Sequence, residues 1–433
     1  MMDFDLVVLG GGSGGLAGAL RAASHGARVA LLDPKPLGGT CVHAGCVPKK
    51  AMWLAAQLAA HGRIANRLGF ARDGGRLDWP AFVARRQAYI DGIADGYQRK
   101  LAASGVLHLA QRGRLVDRFT VAAADGTILR AAQVLVATGA RPRRPDAPGA
   151  KRVAVSDDVF GWRELPKRVV VVGGGYVAVE FAGMLRALDV DVTLLVRGER
   201  LLDGFDAEIT DALAAHYRAL GIDLRFGVDA GHAAAEDPDI MLWAIGRAPN
   251  VEGLGLEALG VALDVGGRIV IDAMQRTNVP GVHAVGDVTA QPALTPVAVA
   301  AGRRLADRLF RARADAALDL ALVPTVVFAQ PPLGSVGLSE EQARVAHGDA
   351  VSVLRSRFRP MLTALSGGES RSLFKVVCMG PERRVVGLHL FGEGADEILQ
   401  GFALAMARGV TASDLEDTLA IHPSSAEEVL FAT

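Results

Sequence analysis

Cysteine is scarce: there are three in 433 residues. So few thiols in so long a chain exclude a secreted scaffold stapled by many disulfides. Neither charge sign is in excess, since Lys+Arg and Asp+Glu both total 47, and there is no electrostatic case for nucleic acid or an anionic membrane as partner. No apolar stretch reaches the ~18 uninterrupted residues of a membrane-spanning helix. The opening "MMDFDLVVLGGG" lacks the basic segment and plain apolar run of a signal peptide. No Cys/His spacing has the form of a metal site, so no metal is expected. These absences predict a cytoplasmic protein in a reducing compartment, where a disulfide is more often catalytic than structural. Hydrophobic residues make up 50% and charged residues 22%, enough for a large core. At about 150 residues per domain the length suggests roughly three domains.

Two of the three cysteines stand in "GGTCVHAGCVPKK", residues 38–50. An α-helix would hold residues i and i+5 about 8.6 Å apart at Cα, and a disulfide needs the two Cα within about 7 Å. If Cys41 and Cys46 bond, the backbone between them must leave regular helix. A strained disulfide is easier to reduce than a relaxed one. The segment itself leaves two readings open: a redox pair, or two small thiols that never pair. Cys378, in the apolar run "LFKVVCMG", reads as a core thiol on a strand.

An internal repeat organises the chain. "LVVLGGGSGGLAGALRAASHGARVALLD" (6–33) and "VVVVGGGYVAVEFAGMLRALDVDVTLLV" (169–196) have equal length and one plan. Each runs from an apolar strand through a glycine turn and a helix to a second strand, predicting two parallel-sheet units. The first has Gly10, Gly12 and Gly15 in G-x-G-x-x-G spacing; the second has Gly173, Gly175 and Ala178. These positions permit the turn, the close approach of backbone to a pyrophosphate, and tight helix–strand packing. The diphosphate would sit on free N–H groups at the helix N-terminus. One such motif is weak; two, each with the right flanks, predict dinucleotide binding twice over.

The ends of the second strands differ. Asp33 closes the first and can accept from ribose hydroxyls. The matching place in the second copy is Val196, followed by Arg197, which favours a ribose carrying a 2′-phosphate. "VLVATGARPRRP" (134–145), "MLWAIGRAPN" (241–250) and "GVHAVGDVTA" (281–290) each read as a buried strand breaking into a turn. Asp287 at the last strand end could hold a cofactor hydroxyl or be a plain turn aspartate.

With these residues in view, the chain resembles the dimeric pyridine nucleotide–disulfide oxidoreductases, a flavoprotein family. The match extends through "ATGARP", "GGGYVAVEFAG", "AIGRAPN", "AVGDV", "LTPVAVAAGRRLADRLF", "PTVVFAQPPLGSVGL" and the terminal "IHPSSAEE". The "CVPKK" and "TPVAVAAGR" runs are most similar to the glutathione reductase branch. The resemblance implies an α/β fold with two Rossmann-like dinucleotide-binding domains and a C-terminal α+β dimerisation domain. It implies an FAD domain at 1–140, an NADPH domain at 141–250, a central domain completing the FAD site at 251–320 and an interface domain at 321–433.

Roles follow from the same resemblance. Electrons would pass from NADPH through FAD to a Cys41–Cys46 disulfide and on to oxidised glutathione. Cys46 would be the thiolate against the flavin and Cys41 the exchange thiol. Lys49 and Glu180 match an ion pair beside the flavin, and Tyr176 a residue that covers it. Ser13, Gly14, Thr40, Thr138, Gly139, Asp287 and Thr295 match further cofactor positions, as do Arg197, Arg200 and Arg247. Arg21, Tyr97, Arg303 and Glu428 match positions near the glutathione disulfide, whose carboxylates suit arginine. His422, followed by Pro423, and Glu427 match a proton-handling pair, and an imidazole held by a carboxylate can deliver and recover the protons that thiol exchange needs. The implied partner is a second copy, with active sites shared between chains in a homodimer.

The sequence departs from the family pattern in places. Between Gly227 and Ile240 it looks trimmed. His43-Ala44 stands where Asn-Val is usual, Leu20 where a substrate-binding arginine is found in some relatives, and Asp203 where a second phosphate-binding arginine is common, with Arg200 the candidate to substitute for the latter. Phe431 stands where a small polar residue is expected. Two alternatives stay open: a reductase for a relative of glutathione (trypanothione or glutathione amide), or a flavin-binding redox sensor without turnover.

Overall fold

The computed structural model describes residues 3–70, 77–145, 153–228, 238–311 and 317–432. The trimmed segment after Gly227 lies mostly outside these residues. The chain forms two compact units: Met1–Lys49, Pro80–Arg143 and Gly246–Asp319 make the first, and Lys50–Trp79, Arg144–Ile245 and Leu320–Thr433 the second.

In the first unit the strands Phe4–Leu9, Val29–Leu32, Leu107–Leu109 and Val282–Ala284 join Ile128–Val136 in parallel pairing. Burial follows the two-residue period of a strand covered on both faces. Val7 and Leu9 enter one core with Leu32, Val134 and Val136. Leu6 and Val8 enter another with Leu16, Ala19 and Leu305. Ile128–Val136 serves two sheets: its start pairs antiparallel with Thr120–Ala123, its end parallel with Val282–Ala284. The predicted strand at 281–290 is therefore a short one of the first unit, and Asp287 follows it in a 3-10 turn, Gly286–Val288.

The helix Ser13–Ser24 begins at Gly12, whose backbone is extended, and ends at His25 and the left-handed Gly26 (φ 84°), a common glycine stop. It crosses the helix Thr295–Phe310 at very short range. A Cβ on Gly302 would lie 2.4 Å from the Gly14 carbonyl oxygen and 3.0 Å from the Gly18 nitrogen. The crossing therefore depends on small residues on both helices.

The second unit holds the second copy of the repeat. Its sheet runs in the order Asp223–Phe226, Asp191–Val196, Arg168–Val172, Ile240–Trp243, Val153–Val155, all parallel. A separate antiparallel sheet follows, in the order Thr325–Val327, Leu333–Gly337, Arg384–Phe391, Ser372–Met379, Val351–Phe358. The helix Ala395–Met406 covers one of its faces through Ala395, Leu399, Ala403 and Met406. Cys378 is fully buried on the strand Ser372–Met379 in that core, as expected of a core thiol. Mixed α/β units built on a duplicated strand–turn–helix, with a C-terminal α+β sheet, agree with the predicted fold class.

Gly302→Ala should force the two helices apart and cost about 1–3 kcal/mol, the usual range for overpacking. Chemical denaturation of the purified variant measures it as a lowered midpoint; an unchanged midpoint would show that the crossing tolerates a methyl group.

Candidate active site

Each dinucleotide motif is a place where a side chain cannot fit. Gly10 (φ 109°) would put a Cβ 2.4 Å from the Ala137 carbonyl oxygen, and Gly173 (φ 138°) would put one 2.4 Å from that of Ala244. Both following helices start from a glycine, Gly12 and Gly175, with no side-chain cap and no acid in the first turn. Their first N–H groups are therefore left for an anion. A Cβ on Gly175 would meet nothing within 4 Å, so this cradle is open. Both turns fit a dinucleotide's diphosphate.

Asp33 anchors the first cradle. Its Oδ2 accepts from Gly11 N at 2.6 Å and its Oδ1 from Lys35 N at 2.8 Å; the remaining lone pairs suit ribose hydroxyls. Thr138 and Asn250 lock this edge, Thr138 Oγ1 donating to Asn250 O and Asn250 Nδ2 to Thr138 O. Arg247 belongs to the first unit, where its guanidinium donates to Ala140 O at 2.6 Å. Burial raises the Asp287 carboxyl above the usual range, partly offset by the Arg247 charge.

The two cysteines lie on either side of a helix break, as their reach required. Cys41 is in the short helix Gly39–His43, which stops at Ala44, and Cys46 begins the helix Cys46–Arg67. Glycine makes the geometry possible. A Cβ on Gly39 would lie 2.7 Å from Gly12 Cα, and one on Gly45 would lie 2.8 Å from Thr40 O. His43, the departure in this loop, ties it back on itself through Nε2 to Leu37 O at 2.9 Å.

Both thiols are free, Cys41 half-buried and Cys46 open to solvent on one side. A hydrogen bond from Cys41 is the main cause that pulls Cys46 down to about 6; burial opposes it, and the Thr295 hydroxyl and Lys49 charge assist. Thr295 Oγ1 lies 3.4 Å from Cys46 Sγ, and a helix N-terminus favours negative charge at Cys46. Cys41 is pushed far up, first by its bond to Cys46 and then by burial. The pair therefore keeps one proton on Cys41 and the charge on Cys46.

In the second unit, His422 Nδ1 lies 2.9 Å from Glu427 Oε2, and the imidazole side chain is 80% exposed. Glu427 Oε1 also accepts from Ser424 N at 3.1 Å. The bond to His422 is the largest cause holding the Glu427 carboxyl below its ordinary range. Glu428 accepts from Ser356 Oγ. Tyr176, the first residue of its helix, is 46% exposed. Arg197 and Asp203 are exposed, and Arg200 Nε lies 3.9 Å from Asp211.

The remaining expectations resolve unevenly. Arg21 is committed within its own unit: Nε and Nη2 donate to the two Asp307 oxygens at 2.6 and 3.2 Å, with His25 on the same carboxylate at 2.7 Å. It is a tie between helices before it is a ligand for anything else. Tyr97 packs against the first core, and Arg303 is exposed on the helix Thr295–Phe310. Lys49 lies in the first unit and Glu180 in the second. Glu180 is buried, and its Oε1 accepts from Phe328 N at 2.8 Å. Sequence reasoning missed the surroundings of Phe328. Its ring and that of Trp53 each lie 4.0 Å from Lys50 Nζ, which also bonds Asp396. The one signal was the second lysine of "CVPKK".

Against known proteins, the profile of the family described as pyridine nucleotide-disulphide oxidoreductase matches residues 4–302. Its dimerisation domain matches residues 323–432. The chain is 41% identical over 454 residues to a glutathione reductase of Schizosaccharomyces pombe, covering 99% of this chain and 98% of that protein. It is 38% identical over 461 residues to a glutathione reductase of Yarrowia lipolytica, with the same coverage.

Ultraviolet thiolate absorbance of the reduced protein should show one thiolate forming with a midpoint near about 6. Cys46→Ser should abolish it. Cys41→Ala should raise the Cys46 midpoint toward the ~8.5 of an ordinary thiol. An early midpoint that survives Cys46→Ser would reverse the assignment.

Proposed function

The chain belongs to the pyridine nucleotide-disulphide oxidoreductases, and on that premise we propose that it is an NADPH-dependent glutathione-disulfide reductase. The observation that carries the reading is the placement of the cysteine pair across a helix break, with Cys46 opening the helix Cys46–Arg67 and its sulfur 3.4 Å from the Thr295 hydroxyl. Residues 1–140 and 251–320 hold FAD, 141–250 bind NADPH, and 321–433 form the interface of a homodimer. The Gly10–Gly15 turn, Asp33, Thr40, Lys49, Asp287 and Thr295 hold FAD; the Gly173–Ala178 turn with Tyr176 and Glu180, Arg197 and Arg200 hold NADPH. Bound FAD is a two-electron carrier between the nicotinamide and the cysteine pair. Among the described residues no helix is long and apolar enough to cross a membrane, and the proposed setting is the cytoplasm.

The chain's own residues then exchange disulfides. Cys41 must lose its proton to attack. The partner subunit's His422 takes it, its imidazolium stabilised by the Glu427 carboxylate of the same chain. Cys41 sulfur bonds one sulfur of oxidised glutathione, the substrate S–S bond breaks, and His422 returns the proton to the departing thiolate. Cys46 thiolate attacks Cys41 sulfur, releasing the second glutathione as thiolate and forming the Cys41–Cys46 disulfide. Electrons balance: two leave the cysteine pair and two reach the substrate. Holding the one charge at Cys46 keeps a thiolate ready for the second exchange, while the proton of Cys41 passes through His422 to the first leaving group.

One observation favours a second substrate. With Leu20 beside it and Arg21 committed to Asp307, carboxylate recognition falls largely to Arg303. This suits a disulfide with fewer carboxylates, such as that of glutathione amide. Comparing kcat/KM for the two disulfides decides between them.

Purified holoenzyme should oxidise NADPH when oxidised glutathione is added, and His422→Ala should slow turnover by about 10²–10⁴-fold, the usual worth of an acid–base group. No oxidation with either disulfide would leave a redox sensor as the reading. Sharing of the site is tested by mixing. Cys41→Ser and His422→Ala homodimers should each be nearly inactive. A mixed dimer has one site with both defects and one intact site, so random reassociation, with about half the dimers mixed, should restore about a quarter of wild-type activity under two-fold symmetry. If each His422 served its own chain, a mixture shown to contain heterodimers would stay inactive.

A further inference from the structure

The loop that joins the strand Asp191–Val196 to the helix Ala207–Ala219 carries Arg197 and Arg200. Backbone bonds fasten its first part, from Gly227 N to Gly198 O at 3.2 Å and from Leu202 N to Gly174 O at 2.7 Å. Leu202 (φ 55°) and Gly204 (φ 88°) then take left-handed conformations in a turn closed by Phe205 N to Leu202 O. A cavity of about 230 Å³ lies between Arg200–Phe205 and the Ser339–Gln342 end of another helix. On that side Leu201 and Leu202 are buried, 1% and 2% exposed, while Asp203 and Gly204 stand open to solvent.

Its far end is held by charge instead. Asp206 is fully buried. Its Oδ1 accepts from Glu208 N at 3.2 Å and from Lys375 Nζ at 2.9 Å, and its Oδ2 accepts from Glu340 N at 3.0 Å. Lys375 is 2% exposed on the strand Ser372–Met379, and its ammonium also reaches Glu208 Oε2 at 3.1 Å and Glu340 Oε2 at 2.9 Å. An ammonium has three donors, and here all three meet carboxylates. Arg355 bridges Glu208 and Glu340, and Arg357 reaches Glu208. Arg344 also reaches Glu340 at 2.8 Å, so three acids meet four bases. Burial opposes the charge on Glu208, yet Arg355 and Lys375 hold its carboxyl down to about 2.

We propose that Lys375 is a positioning residue for nucleotide selection: by fixing Asp206 it sets the loop that presents Arg197 and Arg200 to a ribose 2′-phosphate. The inference rests on the NADPH reading above. Removing one member of a buried ion cluster leaves its partners as uncompensated charges. Asp206 would then turn toward water or take up a proton, and the Leu201–Phe205 stretch that leads into it, seated on the buried Leu201 and Leu202, would shift and carry Arg200 with it. The Gly173–Ala178 turn, built into strand and helix, would keep its place. Loss should therefore fall on the 2′-phosphate and spare the rest of the dinucleotide.

The experiment is calorimetric titration of the holoenzyme with NADP⁺ and with NAD⁺. Lys375→Met should weaken NADP⁺ by about tenfold or more, the worth of one hydrogen bond to a charged group, and NAD⁺ by less than about twofold. Steady-state kinetics should show a raised KM for NADPH with little change in kcat. Asp206→Asn keeps a good helix cap but removes the acceptor for Glu340 N; it should shift NADP⁺ in the same direction by a smaller factor. Should Lys375→Met fail to fold, Asp206→Asn decides by the same comparison. A folded variant that binds NADP⁺ as wild type does, or that loses both nucleotides equally, overturns the proposal. Wild-type protein that does not prefer NADP⁺ to NAD⁺ overturns the 2′-phosphate reading itself, before any variant is compared.

Discussion

Two strands in this chain end against a carbonyl oxygen that leaves no room for a Cβ, and much else follows from that constraint. At Gly10 and at Gly173 the missing methyl would sit at the same 2.4 Å from the neighbouring strand's carbonyl. Because the backbone can turn there, each helix starts immediately beyond the sheet, with uncapped N–H groups facing outward. That is a fixed positive end at the carboxyl edge of a parallel sheet, where a phosphate binds without any cationic side chain. In the first unit the same absence of side chains admits the redox segment, because Gly39 rests on Gly12 where a Cβ would come within 2.7 Å of its Cα. The cysteine pair is thus located by glycine packing before any of its own chemistry enters.

That chemistry is an asymmetry made by the backbone. One short helix ends and a longer one begins between two thiols five residues apart. Cys46 opens the longer helix with its sulfur 3.4 Å from the Thr295 hydroxyl and feels the Lys49 charge, whereas at Cys41 the bond to Cys46 and burial outweigh the help of Thr295 and Ser13. Cys41 has none of the longer helix's N-terminal field and donates its proton toward its neighbour. Two chemically identical side chains thereby become a protonated thiol and a thiolate. A continuous helix through 41–46 would have kept them too far apart to bond and given neither the advantage.

Much of this was legible in the sequence because it depends on near neighbours. The glycine turns, the strand–helix–strand repeat, the helix break between the cysteines and the His422–Glu427 contact all involve short spacings. The parts that were not legible involve long ones. Arg21 reads as a substrate arginine, yet its partner Asp307 lies 286 residues away, and nothing in the local pattern reveals that contact. Lys375 sits in an apolar run that reads as an ordinary strand. A lone lysine there is a signal, but its meaning needs three acids from distant segments. Glu180 reads as one half of an ion pair, and the structure adds the Phe328 amide, 148 residues on.

The long-range ties have a feature in common: they are charged where an apolar contact would have served stability as well. A buried ion cluster gains little net free energy over well-packed hydrophobic residues, because desolvation offsets the Coulomb attraction. What it gains is direction. Arg21 meets Asp307 through two parallel bonds, and Lys375 meets three carboxylates through three. Such contacts fix orientation as well as proximity, which leucine on leucine does not. Both clusters lie on elements that carry proposed binding groups. The Arg21–Asp307 tie joins the helix of the first glycine turn to the helix bearing Thr295 and Arg303, and the Lys375 cluster caps the helix that follows Arg197 and Arg200. The charges of both clusters thus hold the elements that carry the groups proposed to meet ligands.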